Sequence, residues 1–126
     1  MRAKANLQVA VDPAQALTKA VVNAAGLLEL TQSQLAGTLG LSSATVSRMF
    51  SGQYQLSPER KEWELAALFV RLFRSLDSIT GGQDEASRAW LHNRNHELLR
   101  RPVDMLGEVT GLVQVVDYLD SYRARV

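Results

Sequence analysis

Apolar residues recur at helical spacing along nearly the whole chain, and caps and breakers divide them into segments. Asp12-Pro13 reads as an N-cap followed by proline at the first helical position. Leu17, Val21, Ala24 and Leu28 then line one face, predicting a first helix that runs to about Glu29. Thr31 with Gln34 forms a capping box for a short second helix ending near Leu39. Gly40 supplies its stop, and Ser42 caps a third helix that ends before Gly52. Ser57-Pro58-Glu59 predicts the opening of a long fourth helix.

That fourth helix is apolar on two sides. Leu65, Phe69, Leu72, Leu76 and Ile79 form one stripe, and Trp63, Ala66, Val70 and Phe73 form another. A helix with two apolar faces is buried on both, so the C-terminal part or a second protomer must cover it. Gly81-Gly82 breaks the pattern and is the best boundary, dividing the chain into residues 1–80 and 81–126. Asp84 is positioned to cap a fifth helix through about Leu99, with Trp90, Leu91 and Leu98 pointing inward. After Arg101-Pro102 and a short turn at Val103 to Leu106, a last helix begins near Thr110. It places Leu112, Val115, Val116, Leu119 and Tyr122 on one side. The tail Arg123-Ala124-Arg125-Val126 is expected to be exposed. The fold class is therefore all-α, without internal repeats or long linkers.

Composition narrows the function classes. The 126 residues are 46% hydrophobic and 21% charged, ordinary values for a globular chain. Absence of cysteine removes disulfides, thiolate nucleophiles and Cys-ligated zinc, and it suits a reducing cytoplasm. The longest apolar stretch, Leu65 to Val70, is too short to span a bilayer. Asp12, Pro13, Gln15 and Lys19 interrupt any signal-peptide core behind Arg2 and Lys4. A soluble, cytoplasmic protein is expected. The net charge of +1 is low for a nucleic-acid binder that relies on phosphate neutralisation alone.

The stretch from Thr31 to Gly52 carries the most demanding pattern. Two short helices that cross steeply need a small residue at their closest approach, which Ala36 supplies, and a residue at ease with positive φ in the turn, which is Gly40. Leu35, Leu39, Leu41, Val46 and Met49 are the apolar plugs. Small or hydrogen-bonding residues on the opposite face, Ser43, Ala44, Thr45, Ser47 and Arg48, let a backbone sit deep in a major groove, whereas a merely structural hairpin would not require them. The unit resembles the helix-turn-helix of the Xre and Cro/phage-repressor family over its full length. The resemblance implies that Gln32 grips a phosphate and that Gln34 reaches a phosphate or a base edge. It also places Ser43, Ala44, Ser47 and Arg48 against base edges or flanking phosphates. Arg48 is the only charged residue between Thr31 and Leu56, which makes it the leading candidate for reading guanine, with a phosphate contact as the alternative. Arg2 and Lys4 could add a basic arm on DNA.

Downstream, Trp90-Leu91, Asn95, Leu98, Pro102, Met105-Leu106, Gly111-Leu112, Val115-Val116 and Leu119 follow one another in an order similar to the C-terminal toxin-binding domain of the Xre/MbcA/ParS antitoxins. Arg94 and Arg100-Arg101 stand where that family often has proline and glycine, which bears on the local loop. The resemblance implies a toxin partner of the RES type, which consumes or transfers from NAD. It also implies that the antitoxin C-terminus covers the toxin's active site; Tyr122, Arg123, Arg125 and the Val126 carboxylate are the residues expected to reach in.

Enzyme readings find little material. His92 and His96 lie four apart, a metal-binding spacing on a helix, but no third ligand accompanies them. Two histidines without cysteine leave no catalytic triad, and Gly81-Gly82 lacks the Lys and Ser/Thr of a phosphate loop. The expectation is an antitoxin that needs no cofactor or metal, is not an enzyme, contacts its toxin directly and represses its own operon. It would act on operator DNA as a homodimer within a larger toxin–antitoxin complex. The alternative is a stand-alone Xre-family regulator whose C-terminal half only dimerises or senses a ligand.

Overall fold

A computed structural model describes residues 12–125. Arg2, Lys4 and the Val126 carboxylate, named above as candidate contacts, lie outside the described residues. Six α-helices and a single 3-10 turn follow one another among them, with no strand: α1 (Pro13–Leu27), α2 (Gln32–Leu39), α3 (Ser43–Phe50), α4 (Lys61–Ile79), α5 (Asp84–His92), the 3-10 turn (Pro102–Met105) and α6 (Val109–Arg123). None of these helices is long and apolar enough to cross a membrane.

The caps at the N-terminal side form as the sequence predicts. Asp12 accepts from the Ala14 amide, and Thr31 and Gln34 exchange both hydrogen bonds of a capping box. Gly40 closes α2 in the left-handed region at φ +70°, and Ser42 accepts from the Thr45 amide at the start of α3. Each bond satisfies an amide that a helix end would otherwise leave without a partner.

Two boundaries differ from the sequence reading. The fourth helix begins at Lys61, not beside Pro58, and Arg60 makes no side-chain cap. The reason is Glu62, only 4% exposed, whose Oε2 accepts from the Ser57 amide at 2.8 Å and the Tyr54 hydroxyl at 2.6 Å. That carboxylate holds residues 57–60 as a turn and fixes the connection behind α3. The fifth helix stops at His92, well short of Leu99. Asn95 is the cause: its Oδ1 accepts from the amides of Glu97 and Leu98, both at 2.8 Å, and its backbone pairs with Arg100 in an isolated bridge. A short amide side chain competes here with helical hydrogen bonding. Asp84 lies in the first turn of α5, and Gln83 is the cap residue.

The core is continuous across the Gly81-Gly82 junction. Phe69, Leu72 and Leu76 of α4 are buried together with Leu91 of α5, Met105, and Leu112, Val115 and Leu119 of α6. Packing between α4 and α6 is the most extensive of any pair of elements. Both apolar stripes of α4 are therefore largely consumed within one chain: Leu65, Ala66, Phe69, Val70, Leu72 and Leu76 are buried, while Trp63, Phe73 and Ile79 are half-buried against the core. Trp63, Phe73 and Ile79 keep part of their surface exposed. Gly111 makes the close approach of α6 to the 3-10 turn possible, because a methyl group there would overlap the Met105 carbonyl.

Candidate nucleic-acid and protein-partner interfaces

The α2–turn–α3 unit buries Leu35, Ala36, Leu39, Val46 and Met49 and leaves Leu41 half-buried. Ala36 occupies an interior position, as a steep crossing demands. On the outer side, Gln32, Ser43, Ala44, Ser47 and Arg48 are exposed, and Gln34 and Thr45 are half-exposed. The predicted α3 residues lie on the outward side of a helix whose Val46 and Met49 are buried, and the two α2 residues are exposed or half-exposed at the start of their helix.

Hydrogen bonds already constrain two of them. Gln34 Oε1 accepts from the Thr31 amide at 2.9 Å, which orients the side chain and leaves its NH2 and one lone pair of that oxygen for DNA. Arg48 Nη2 donates to Thr45 Oγ1 at 3.2 Å, and Thr45 Oγ1 also shares a 2.9 Å hydrogen bond with Ser42. The guanidinium is therefore drawn back along α3, with further donors still free. Behind α3, Ser51 and Gln53 both bond to the Arg48 carbonyl, which fixes the following turn beside the same surface.

At the other end of the chain the predicted tail residues part company. Tyr122 is 44% exposed rather than packed inward with Leu119. Arg125 lies over the Tyr122 ring, 5.2 Å from its centroid, in cation–π geometry. Arg123 turns away and donates to Ser75 Oγ at 3.4 Å. It borders a hollow of about 620 Å³ between α1 and α4 that also contains Arg71 and Arg74. Ser75 in turn donates to Asp120 at 2.8 Å, and Arg71 pairs with the same carboxylate at 2.6 Å, so this side of α6 is locked onto α4.

The structure adds Trp90, which the hydrophobic pattern assigned to the interior, and Tyr118. Trp90 is half-buried and stacks on Tyr118 with centroids 6.1 Å apart, and Tyr118 meets Tyr122 at the same separation. With Arg125 these rings form a continuous run along α6. Tyr118 also donates to Glu97, which together with partial burial raises the phenol above its ordinary pKa. The four-residue interval between Tyr118 and Tyr122 was a legible signal in the sequence; the approach of Trp90 was not.

The metal reading of His92 and His96 finds no support. His92 lies on α5 with its Nε2 2.9 Å from the Leu28 carbonyl, His96 lies beyond the end of the helix, and no cluster of three metal-ligating side chains occurs among the described residues.

Comparison with known proteins gives two family matches in series. Residues 8–71 match the antitoxin Xre-like helix-turn-helix domain. Residues 75–125 match the antitoxin Xre/MbcA/ParS C-terminal toxin-binding domain. Among solved structures, the fold is similar to a chain of the M. tuberculosis MbcT–MbcA toxin–antitoxin complex, with a TM-score of 0.64 and 20% identity, over 92% of this chain and 98% of that one. No curated protein matches the sequence.

Proposed function

Because the chain belongs to the Xre-type antitoxins, we propose that it neutralises a RES-type, NAD-consuming toxin by direct contact and represses its own operon through α2 and α3. The observation that carries this reading is the pairing, on one continuous core, of an exposed polar face on α3 with an exposed Tyr122–Arg125 cluster inside the segment that matches a toxin-binding domain. The similarity in fold to a chain of the MbcT–MbcA complex supports a protein partner.

In this reading the protein is a binding module without catalytic residues or cofactor. Gln32, Gln34, Ser43, Ala44, Thr45, Ser47 and Arg48 engage the operator. Tyr122, Arg123, Arg125 and Val126 engage the toxin, Tyr122 and Arg125 as a preassembled pair and Arg123 after release from Ser75. One helix-turn-helix covers only a half-site, so operator binding requires a homodimer or a larger toxin–antitoxin assembly.

The test is co-expression with the product of the adjacent open reading frame, under conditions where that product alone arrests growth. Restored growth, co-purification of the two proteins, and a specific mobility shift with the upstream DNA are the expected results. A mobility shift without rescue or a stable complex would overturn the antitoxin activity and leave a stand-alone regulator.

A further inference from the structure

Leu99 combines two properties that folding alone does not favour together. Its φ is +65°, in the left-handed region that suits glycine, and its side chain is 62% exposed. The conformation is fixed from several sides. The Leu99 amide donates to the Asn95 carbonyl at 2.8 Å, and the Asn95 amide donates to the Arg100 carbonyl at 2.9 Å. Leu98 packs against the core, and Arg100 reaches the Asp104 carbonyl at 3.0 Å. Glu97, two residues before Leu99, is bound by Tyr118.

Glu29 offers an internal contrast. It too has a positive φ without being glycine, at +55°, but it ends α1 and its carboxylate lies 3.6 Å from Arg88. Leu99 brings a strained backbone and an aliphatic side chain pointed largely at water. Strain held in place by surrounding bonds is a mark of a functional position.

We infer that Leu99 is a preformed apolar anchor that inserts into a depression on the toxin, at a contact separate from the C-terminal tail. This rests on the toxin-binding reading above and adds a site to it. The loop lies within the segment matching a toxin-binding domain, and Tyr118 joins it to the aromatic run that leads to Tyr122. Exposed charges of both signs, Glu97 and Arg100, flank the leucine. An apolar centre with a mixed polar rim fits a protein surface, and the acidic member disfavours a phosphate backbone.

The experiment uses the full chain and three variants. Leu99→Gly and Leu99→Asn suit the positive φ but remove the anchor, whereas Leu99→Met retains an apolar side chain. Melting temperature, operator affinity, self-association and affinity for the neighbouring toxin are measured for each. The glycine and asparagine variants should melt no lower than the parent, or up to about 5 °C higher. They should bind operator equally well and bind toxin at least ~10-fold more weakly. The methionine variant should retain most of the toxin affinity. Parental toxin affinity in the glycine and asparagine variants would overturn the anchor while leaving the antitoxin reading intact. A clear fall in melting temperature would assign Leu99 to the fold, and a change confined to self-association would assign it to a second copy; either overturns the inference. A parent chain that does not bind the toxin overturns the antitoxin reading and this one with it.

Discussion

His92 on α5 donates through Nε2 to the carbonyl oxygen of Leu28, at the C-terminal end of α1, over 2.9 Å. Arg88, one turn earlier, donates to the Leu27 carbonyl at 3.1 Å. Helix C-termini leave carbonyls without intrahelical partners, and here the C-terminal half of the chain satisfies those of the N-terminal half. The two matched segments are thereby joined by specific polar bonds as well as by their common core.

Loss of this bond should be felt by the whole fold. His92→Ala is expected to lower stability by about 1 kcal/mol, the usual net worth of such a hydrogen bond. The double variant with Arg88→Ala should lose more. Urea unfolding of both variants checks this, and unchanged midpoints would show that α1 does not depend on α5 for its end.

Arg48 must exchange its Thr45 contact for DNA. Arg48→Ala should weaken specific operator binding by about 1–3 kcal/mol if the guanidinium reads a base. If it holds a phosphate, affinity should fall by a similar factor on every sequence and its salt dependence should become shallower. Titrations on the operator and on base-substituted versions at two salt concentrations separate the roles; no loss on any sequence would remove Arg48 from the interface.

Deleting residues 122–126 removes Tyr122 and Arg125 together with the Arg123–Ser75 bond. Buried Leu119 and the Asp120 lock onto α4 remain. Toxin neutralisation should be impaired and operator binding preserved. Full neutralisation by the truncated chain would move the toxin contact upstream of the tail.

Tyr54 links stability to alkaline pH. Burial, followed by its hydrogen bond to Glu62, raises the phenol above its ordinary pKa. A raised pKa means that the contribution is fully present below the unfolded phenol's pKa of about 10 and is lost as pH rises through the folded value. Tyr54→Phe should therefore be less stable than the parent by about 1 kcal/mol at pH 8. The gap should narrow above about pH 10. Denaturation curves at pH 8 and pH 11 test the sign, and a gap that does not change with pH would count against it.

Features governed by neighbouring residues were legible from sequence. Asp12, Thr31, Gln34, Gly40 and Ser42 cap and stop helices through bonds spanning only a few positions, so their identities and spacing are enough. The exposed face of α3 followed from the helical period once Val46 and Met49 were assigned inward. The two apolar sides of α4 showed that something must cover them, but not whether it was α6 or another copy.

That choice belongs to the tertiary structure, because it depends on residues far apart in the chain meeting. Glu62 sets the start of α4 by capturing Ser57 and Tyr54 from a turn, and Asn95 ends the fifth helical segment early. Trp90 becomes part of a surface because Tyr118 lies against it, and Arg123 departs from Tyr122 because Ser75 of another helix accepts its bond. The sequence by itself determined the helices, their caps and the recognition face, which follow from local hydrogen bonding and period. Tertiary structure decided which apolar faces were closed and where the tail side chains went, because burial and long-range polar pairing depend on the assembled chain.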